Sequence, residues 1–116
     1  MREPTFWILT ALASEPRHGY ALIQDAERLS AGRVRLQAGT LYAALDRLVA
    51  EGLVEPDREE IVRGRARRYY RLTDDGAAAL DAEAVRMQAS VDAATAQLSV
   101  RRRFGLGQAT AGVVLP

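Results

Sequence analysis

Apolar residues recur at helical spacing between Gly39 and Gly52. Leu41, Leu45 and Leu48 stand at i, i+4 and i+7, so they share one face of a predicted helix, and that face must be buried. Gly52 favours the left-handed conformation that ends a helix. The opposite face carries Thr40, Tyr42, Asp46 and Arg47. Such a polar face suits insertion into a groove of DNA, but it is also typical of an ordinary surface helix.

Two more helices are predicted before this one. The first begins at Pro4 and Thr5, since proline is tolerated in the first turn and threonine can cap a helix, and it ends at Pro16. Its apolar residues cover much of the circumference, which indicates a central helix: Phe6, Ile8, Leu9, Leu12 and Ala13. The second helix runs from about His18 to Leu29, and its predicted buried stripe is Leu22, Ile23, Ala26 and Leu29.

The segment after the second helix links it to the Gly39 helix. Residues 30–32, Ser-Ala-Gly, break the helical pattern, and residues 33–37 look extended, as a short strand or a turn. A helix, a short link and a helix with an exposed polar face form the helix-turn-helix plan.

The apolar period changes from 3.6 to 2 after Gly52. Residues 53–62 and 66–72 are predicted to form a β-hairpin whose tip lies near Arg63, Gly64 and Arg65. In the second strand, Tyr70 and Leu72 share one face, and the other face carries Arg67, Tyr69 and Arg71. Three helices followed by an arginine-tipped hairpin indicate a winged helix-turn-helix whose wing reaches along the duplex.

A long final helix follows the hairpin. Thr73 is its predicted cap, and Asp74 and Asp75 lie in the first turn, where negative charge is favourable. Apolar residues then recur at alternating steps of four and three, which is a heptad seam that needs a partner. The predicted dimer interface consists of Leu80, Ala84, Met87, Val91, Ala94 and Leu98.

The predicted fold is therefore mainly α with a small β-hairpin, a winged helix-turn-helix plus a C-terminal dimerisation helix. Residues 1–72 form the DNA-binding domain, residues 73–104 the dimerisation helix and residues 105–116 a flexible tail. A length of 116 residues suits one domain with a modest core.

The basic residues are clustered, although the net charge of the chain is small. The formal net charge is +1, and all 16 basic residues are arginine. Five of them fall within nine residues that contain no acid: Arg63, Arg65, Arg67, Arg68 and Arg71. The guanidinium group of arginine forms bidentate hydrogen bonds with phosphate and with guanine, so the cluster favours double-stranded DNA as the partner.

The composition argues against several other classes of protein: metalloproteins, membrane proteins and enzymes. The chain has no cysteine and one histidine, so neither a thiolate metal site nor a histidine triad is expected, and we expect no metal and no cofactor. No run approaches the roughly 20 apolar residues of a membrane span, and the charged stretch before Phe6 contains Glu3, unlike a signal peptide. We expect a cytoplasmic protein that is not an enzyme, since nucleophile–base pairs, paired carboxylates in a cleft and phosphate-binding glycine loops are not found.

Three blocks of the sequence resemble a known family over nearly all of the chain up to about Leu98. They are ILTALASEPRHGYAL, AGTLYAALDRLVAEGLVE and GRARRYYRLTDDG. HGY at residues 18–20 and GTLY at residues 39–42 are the most specific parts. The chain is thereby similar to the PadR family of bacterial transcriptional regulators.

This resemblance implies a homodimeric repressor that binds an inverted-repeat operator and controls a neighbouring gene. It places Gly39, Thr40 and Tyr42 at the DNA-facing start of the recognition helix, and Arg65, Arg67 and Arg68 on the wing. Some relatives respond to phenolic acids or cationic drugs. The last helix has no aromatic residue before Phe104, where drug-binding relatives use tryptophan, so this chain departs from the pattern of a drug sandwich at the seam.

The candidate DNA contacts each have a plainer alternative. Thr40 and Tyr42 contact phosphates or base edges, unless Thr40 caps its helix and Tyr42 packs under the wing. Gln37 is either an adenine reader or a solvated loop residue, and Arg47 either anchors phosphate or pairs with a nearby carboxylate. The remaining candidates are His18 and Tyr20, which contact the DNA backbone unless His18 only caps its helix.

Two further alternatives concern the wing and the first helix. Glu59 and Glu60 are predicted to lie across from Arg67 or Arg68, whereas Arg63 and Arg65 at the tip face no acid. If acids neutralise the wing, the domain serves protein–protein interaction instead. Trp7 is either a core residue near the dimer contact or the wall of a pocket for a small aromatic effector.

Overall fold

The computed structural model describes residues 1–105, which contain four α-helices and three antiparallel strands. In chain order these are α1 (Glu3–Leu12), β1 (Arg17–His18), α2 (Gly19–Leu29), α3 (Ala38–Ala50), β2 (Val54–Val62), β3 (Arg65–Leu72) and α4 (Asp74–Arg103). The chain divides into two compact units, residues 1–82 and the part that starts at Glu83. The predicted order of helices and hairpin is confirmed.

The core of the first unit lies among α1, α2 and α3. Leu41, Leu45 and Leu48 of α3 are fully buried, as their spacing predicts, and they meet Leu9 of α1 and Leu22 of α2 in one cluster. Each such side chain contributes about 1.5–3 kcal/mol by its burial. The core therefore fixes the side of α3 that faces inward and leaves the opposite side exposed.

The sheet has the strand order β1-β3-β2. Strands β2 and β3 form the predicted hairpin, and its two-residue turn has positive φ at Arg63 (53°) and Gly64 (77°), as hairpin turns matched to strand twist require. Strand β1 is not predicted from the sequence. It pairs Arg17 with Tyr70 and His18 with Tyr69, which ties the start of α2 to the wing.

Helix α1 differs from the prediction at both ends. Its N-cap is Arg2, so the expectation that Thr5 caps the helix is wrong: Thr5 is buried within the first turn. The helix ends at Leu12, before Pro16, and Ala13 is exposed. The helix begins two residues before Thr5, whose Oγ1 faces α3 and accepts a hydrogen bond there.

The link between α2 and α3 matches the turn alternative and not the strand. It contains no strand; Ala31 and Gly32 have positive φ, and the side chains of Val34 and Leu36 enter the core. Leu29, which the sequence placed in the buried stripe of α2, is 37% exposed.

Helix α4 begins as predicted. Thr73 Oγ1 accepts a hydrogen bond from the Gly76 amide at 2.9 Å and donates one to the Gly52 carbonyl at 2.7 Å. Asp74 and Asp75 lie in the first turn. Leu80 packs against the core of the first unit, so this first seam position is occupied within its own chain.

The rest of α4 belongs to the second unit, and the seam residues there are exposed. Met87, Val91 and Leu98 are 41%, 57% and 51% exposed. Ala84 and Ala94 are exposed as well. Among the helices described, none is long and apolar enough to cross a membrane. Of the predicted tail, residues 106–116 lie outside the described residues.

Candidate nucleic-acid interface

A cavity of about 750 Å³ opens between the wing and the N-terminal ends of α2 and α3, and we call it the wing groove. It is lined by His18, Gly19, Tyr20, Tyr42, Val62, Arg63, Arg65, Ala66, Arg67 and Arg68. Four of these ten residues are arginines and none is acidic. The fold thus brings together six candidates from three separate stretches of the sequence: His18, Tyr20, Tyr42, Arg63, Arg65 and Arg67.

Among the groove arginines, the two at the tip of the wing are the most available for contact with phosphate. Arg63 and Arg65 are exposed, and neither guanidinium forms an ion pair with another residue of the described range 1–105. Arg68 lies across from Glu59, with Nε 4.0 Å from Oε2, and Arg67 lies across from Glu60. The predicted register of acids and arginines is confirmed.

The acids of β2 are engaged mainly by residues outside the groove. Arg71 Nε donates to Glu55 Oε1 at 2.6 Å. Glu60 accepts from Arg58 Nε at 3.1 Å and from the Tyr69 hydroxyl at 3.1 Å, and these hydrogen bonds lower the pKa of the Glu60 carboxyl. Glu55 and Glu60 thus have hydrogen-bond partners outside the groove lining, whereas Glu59 is paired with Arg68 of the groove.

His18 links the wing to helix α2. Its Nδ1 accepts a hydrogen bond from the Ala21 amide at 3.4 Å, so His18 is the N-cap of α2, and its ring meets the Tyr69 ring edge-on at 5.3 Å. Desolvation lowers the pKa of His18, and the nearby charge of Arg67 lowers it further. A neutral imidazole keeps its acceptor for the cap.

Tyr42 and Gly19 approach each other closely at the floor of the groove. A Cβ atom on Gly19 would lie 2.3 Å from the Tyr42 hydroxyl oxygen, which no real contact allows. Tyr42 nevertheless remains 46% exposed. Its phenol thus rests on the first residue of α2 with one side open to solvent, and its contact with DNA stays a prediction.

The other candidates on α3 lie outside the groove lining. Gln37 is the N-cap residue, without a side-chain cap hydrogen bond, and it is exposed, as are Gly39 and Thr40 in the first turn. Thr40 is therefore not the helix cap. Arg47 is held by α1, since its Nη2 donates to Thr5 Oγ1 at 2.8 Å. Its partner within residues 1–105 is a hydroxyl and not a carboxylate, and the alternative that Arg47 anchors phosphate stays a prediction.

Trp7 is half-buried against the core. Its indole N–H donates to Glu3 Oε1 at 3.4 Å, its ring meets Phe6 edge-on at 5.0 Å, and the Arg33 guanidinium lies 5.7 Å from its centroid. Neither the wing groove nor the cavities of about 310 and 630 Å³ are lined by Trp7. These contacts match the core alternative.

Sequence reasoning missed two features of this site. Gly19 was not identified as a groove residue, although it stands inside the HGY block. The stack of Arg58 on the Tyr69 ring, 3.9 Å from its centroid, was also missed. The available signal was the alternation of β2 and β3, which puts aromatic and charged residues on one face.

Comparison with known proteins decides the family. The model of the transcriptional regulator PadR-like family matches residues 8–82, well over half of the chain. The chain belongs to this family. The match includes the HGY block, α3 and the whole wing. As a PadR-like protein, the chain belongs among transcriptional regulators and not among enzymes.

One curated relative agrees with this assignment. The transcriptional regulator Rv3488 of Mycobacterium tuberculosis is 45% identical over 73 residues, which cover 63% of this chain and 64% of that protein. This chain thus spans just under two thirds of that relative.

Solved structures show the same fold. A PadR family regulator from Clostridium difficile has a TM-score of 0.69 at 21% identity, over 84% of this chain and 99% of that one. Bacillus subtilis PadR in complex with operator DNA has a TM-score of 0.65 at 22% identity, over 72% of this chain and 49% of that one. The predicted winged-helix fold is confirmed.

Proposed function

We propose that this PadR-like chain binds duplex DNA through the wing groove. The observation that carries the proposal is the lining of the groove, which contains four arginines and no carboxylate. Guanidinium groups bind phosphate oxygens in a bidentate manner, so such a surface attracts a polyanion of regular charge spacing. The complex of Bacillus subtilis PadR with operator DNA, which shares the fold, supports the same choice of partner.

We assign different tasks to α3 and to the wing. Gln37, Gly39, Thr40 and Tyr42 are exposed near the start of α3, where a helix that enters the major groove presents its side chains to base edges. The wing arginines are assigned to phosphates, which position the protein without reading sequence. Tyr42 therefore contributes to specificity and Arg65 to overall affinity.

We also propose that two copies pair along α4. The exposed seam of the second unit supports this: Met87, Val91 and Leu98 repeat at steps of four and seven and are each at least 41% exposed. Leu80 is excluded from the seam because it packs within its own core. A twofold pair would read two half-sites of an inverted repeat, about 34 Å or one turn apart.

We infer that such a pair would repress by occlusion. Two reading heads on one face of the duplex cover the DNA between them, so an operator inside a promoter would be closed to polymerase. Deletion of the gene should raise transcription of the adjacent unit, and return of the wild-type chain should lower it. A fall in transcription on deletion would indicate activation.

The direct test compares the loss of an arginine inside the wing groove with the loss of one outside it, because both variants change the net charge equally. Selection from a random duplex pool supplies the probe, and fluorescence anisotropy gives its Kd for wild type, Arg65→Ala and Arg28→Ala. Arg28 lies on α2 away from the groove lining. We expect Arg65→Ala to weaken binding roughly tenfold on every duplex, and Arg28→Ala to change it less than about twofold. Equal effects would place the binding surface elsewhere.

The rival function, a winged helix for protein contact, predicts a different result. In that case selection yields no enriched duplex, and both arginine variants bind random DNA as weakly as the wild type. The exposed Arg63 and Arg65 at the tip argue against it, because neither forms an ion pair with an acid within residues 1–105.

A further inference from the structure

Gly19 and Tyr42 are 23 positions apart in the sequence, yet they meet at the floor of the wing groove. Gly19 is buried and is the first residue of α2. A Cβ at this position would lie 2.3 Å from the hydroxyl oxygen of Tyr42 and 2.8 Å from Cζ. The phenol therefore occupies the space that any side chain at position 19 would need.

The backbone at Gly19 does not itself require glycine. The described glycines with positive φ are Gly32, Gly52, Gly64 and Gly105, so Gly19 has a φ that other residues adopt without strain. A first helical position also tolerates most residues. The need for glycine at this position comes from the neighbouring phenol and not from the chain path.

We propose that Gly19 is a positioning residue for DNA recognition: it lets the Tyr42 phenol lie against α2 and thereby fixes where the hydroxyl meets the duplex. This inference rests on the proposed function of the wing groove. Gly19 acts through Tyr42 and adds no contact of its own. The glycine thus affects specificity through Tyr42 of α3, although it belongs to α2.

Because of this geometry, we expect a side chain at position 19 to disturb DNA recognition more than folding. The atoms in conflict are the far end of an exposed and rotatable side chain, which can swing toward the open groove. Gly19→Ala would then keep the fold, since alanine is also the better helix former. The displaced phenol would enter the space where the duplex lies and would no longer meet its base or phosphate.

A double-mutant cycle tests the inference with Gly19→Ala, Tyr42→Ala and the variant that carries both. The probe is the duplex selected by the wild type, together with single-base variants of that duplex. We expect Gly19→Ala to weaken binding roughly tenfold and to change the ranking of the base variants. In the Tyr42→Ala background the same change should alter Kd less than about twofold, because no phenol remains to be displaced.

Thermal unfolding separates positioning from a purely structural role. We expect Gly19→Ala to unfold at nearly the wild-type temperature while its base preference changes. An unfolded Gly19→Ala that is restored by Tyr42→Ala would overturn the inference, since Gly19 would then serve packing alone.

The two proposals fail in different ways. If Tyr42→Ala and Arg65→Ala weaken binding but Gly19→Ala does not, or if its effect persists without the phenol, the role of Gly19 is refuted and DNA binding stands. If the wild type selects no duplex, the proposed function itself fails.

Discussion

Arg47 of α3 donates a hydrogen bond from Nη2 to Thr5 Oγ1 of α1 at 2.8 Å. This contact joins the proposed recognition helix to the first helix of the chain. Thr5 is buried, and a hydrogen bond from a charged donor is worth more than one between neutral groups. The pair therefore helps to fix the orientation of α3.

Loss of this hydrogen bond should destabilise the fold. Thr5→Val keeps the shape of the side chain but removes the acceptor, and we expect the free energy of unfolding to fall by about 1–2 kcal/mol in urea titration. Thr10→Val is the matched control, because within residues 1–105 Thr10 Oγ1 donates only to the Phe6 carbonyl of its own helix, at 2.7 Å. A similar loss in both variants would mean that the contact between helices adds nothing.

The cap of α4 gives a second prediction. Thr73→Ala removes the acceptor of the Gly76 amide and the donor to the Gly52 carbonyl, so stability should fall by about 1 kcal/mol or slightly more. Thr73→Ser keeps both hydrogen bonds and should stay near the wild type. The check is the urea midpoint of each variant, and an alanine variant as stable as the serine variant would contradict the role of the cap.

Two helical glycines should respond in opposite ways to alanine. A Cβ on Gly76 would lie 2.0 Å from the carbonyl oxygen of Leu53, a backbone atom that cannot swing aside, whereas a Cβ on Gly39 meets nothing within 4 Å. We expect Gly76→Ala to cost about 1–3 kcal/mol and Gly39→Ala to stabilise by about 0.5–1 kcal/mol. Thermal melts of the two variants measure this difference in stability. Equal melting temperatures would refute the prediction.

The pH dependence of stability should carry a contribution from His18. Desolvation first, and the charge of Arg67 next, lower its pKa in the folded state below 6.5, so the unfolded chain binds the proton more readily. This contribution is complete above pH 6.5 and is lost as pH falls through the lowered pKa. The lowered pKa of Glu60 acts in a separate window, below its ordinary value of 4.5.

A matched variant isolates that contribution. His18→Asn keeps a side chain that can cap α2 but does not titrate in this range. Between about pH 7.5 and 5.5, the free energy of unfolding of the wild type should fall more than that of His18→Asn. Parallel curves for the two proteins would show that His18 has the same pKa in both states.

Much of the fold could be predicted from the sequence because its signals are local and periodic. The spacing of Leu41, Leu45 and Leu48 sets the buried face of α3, and alternation together with Arg63-Gly64 sets the wing and its register. One wall of the groove is also evident in the sequence, because its arginines are neighbours along the chain.

The features that could not be predicted depend on contacts between distant segments. Strand β1 has two residues, too few to show a period, and exists because Tyr69 and Tyr70 offer it an edge. The fit of Tyr42 onto Gly19 and the bond from Arg47 to Thr5 require the packed helices themselves. Leu80 matches the heptad seam, but the core of its own unit competes for it.

The salt dependence of binding to the selected duplex tests the central claim most directly, namely that the wing groove binds DNA through its arginines. Anisotropy titrations from about 50 to 300 mM salt should give log K falling linearly with log salt, with a slope of roughly −0.9 for each phosphate neutralised. Arg65→Ala should reduce that slope by about one. A flat line for the wild type, or a slope that Arg65→Ala leaves unchanged, would contradict the account.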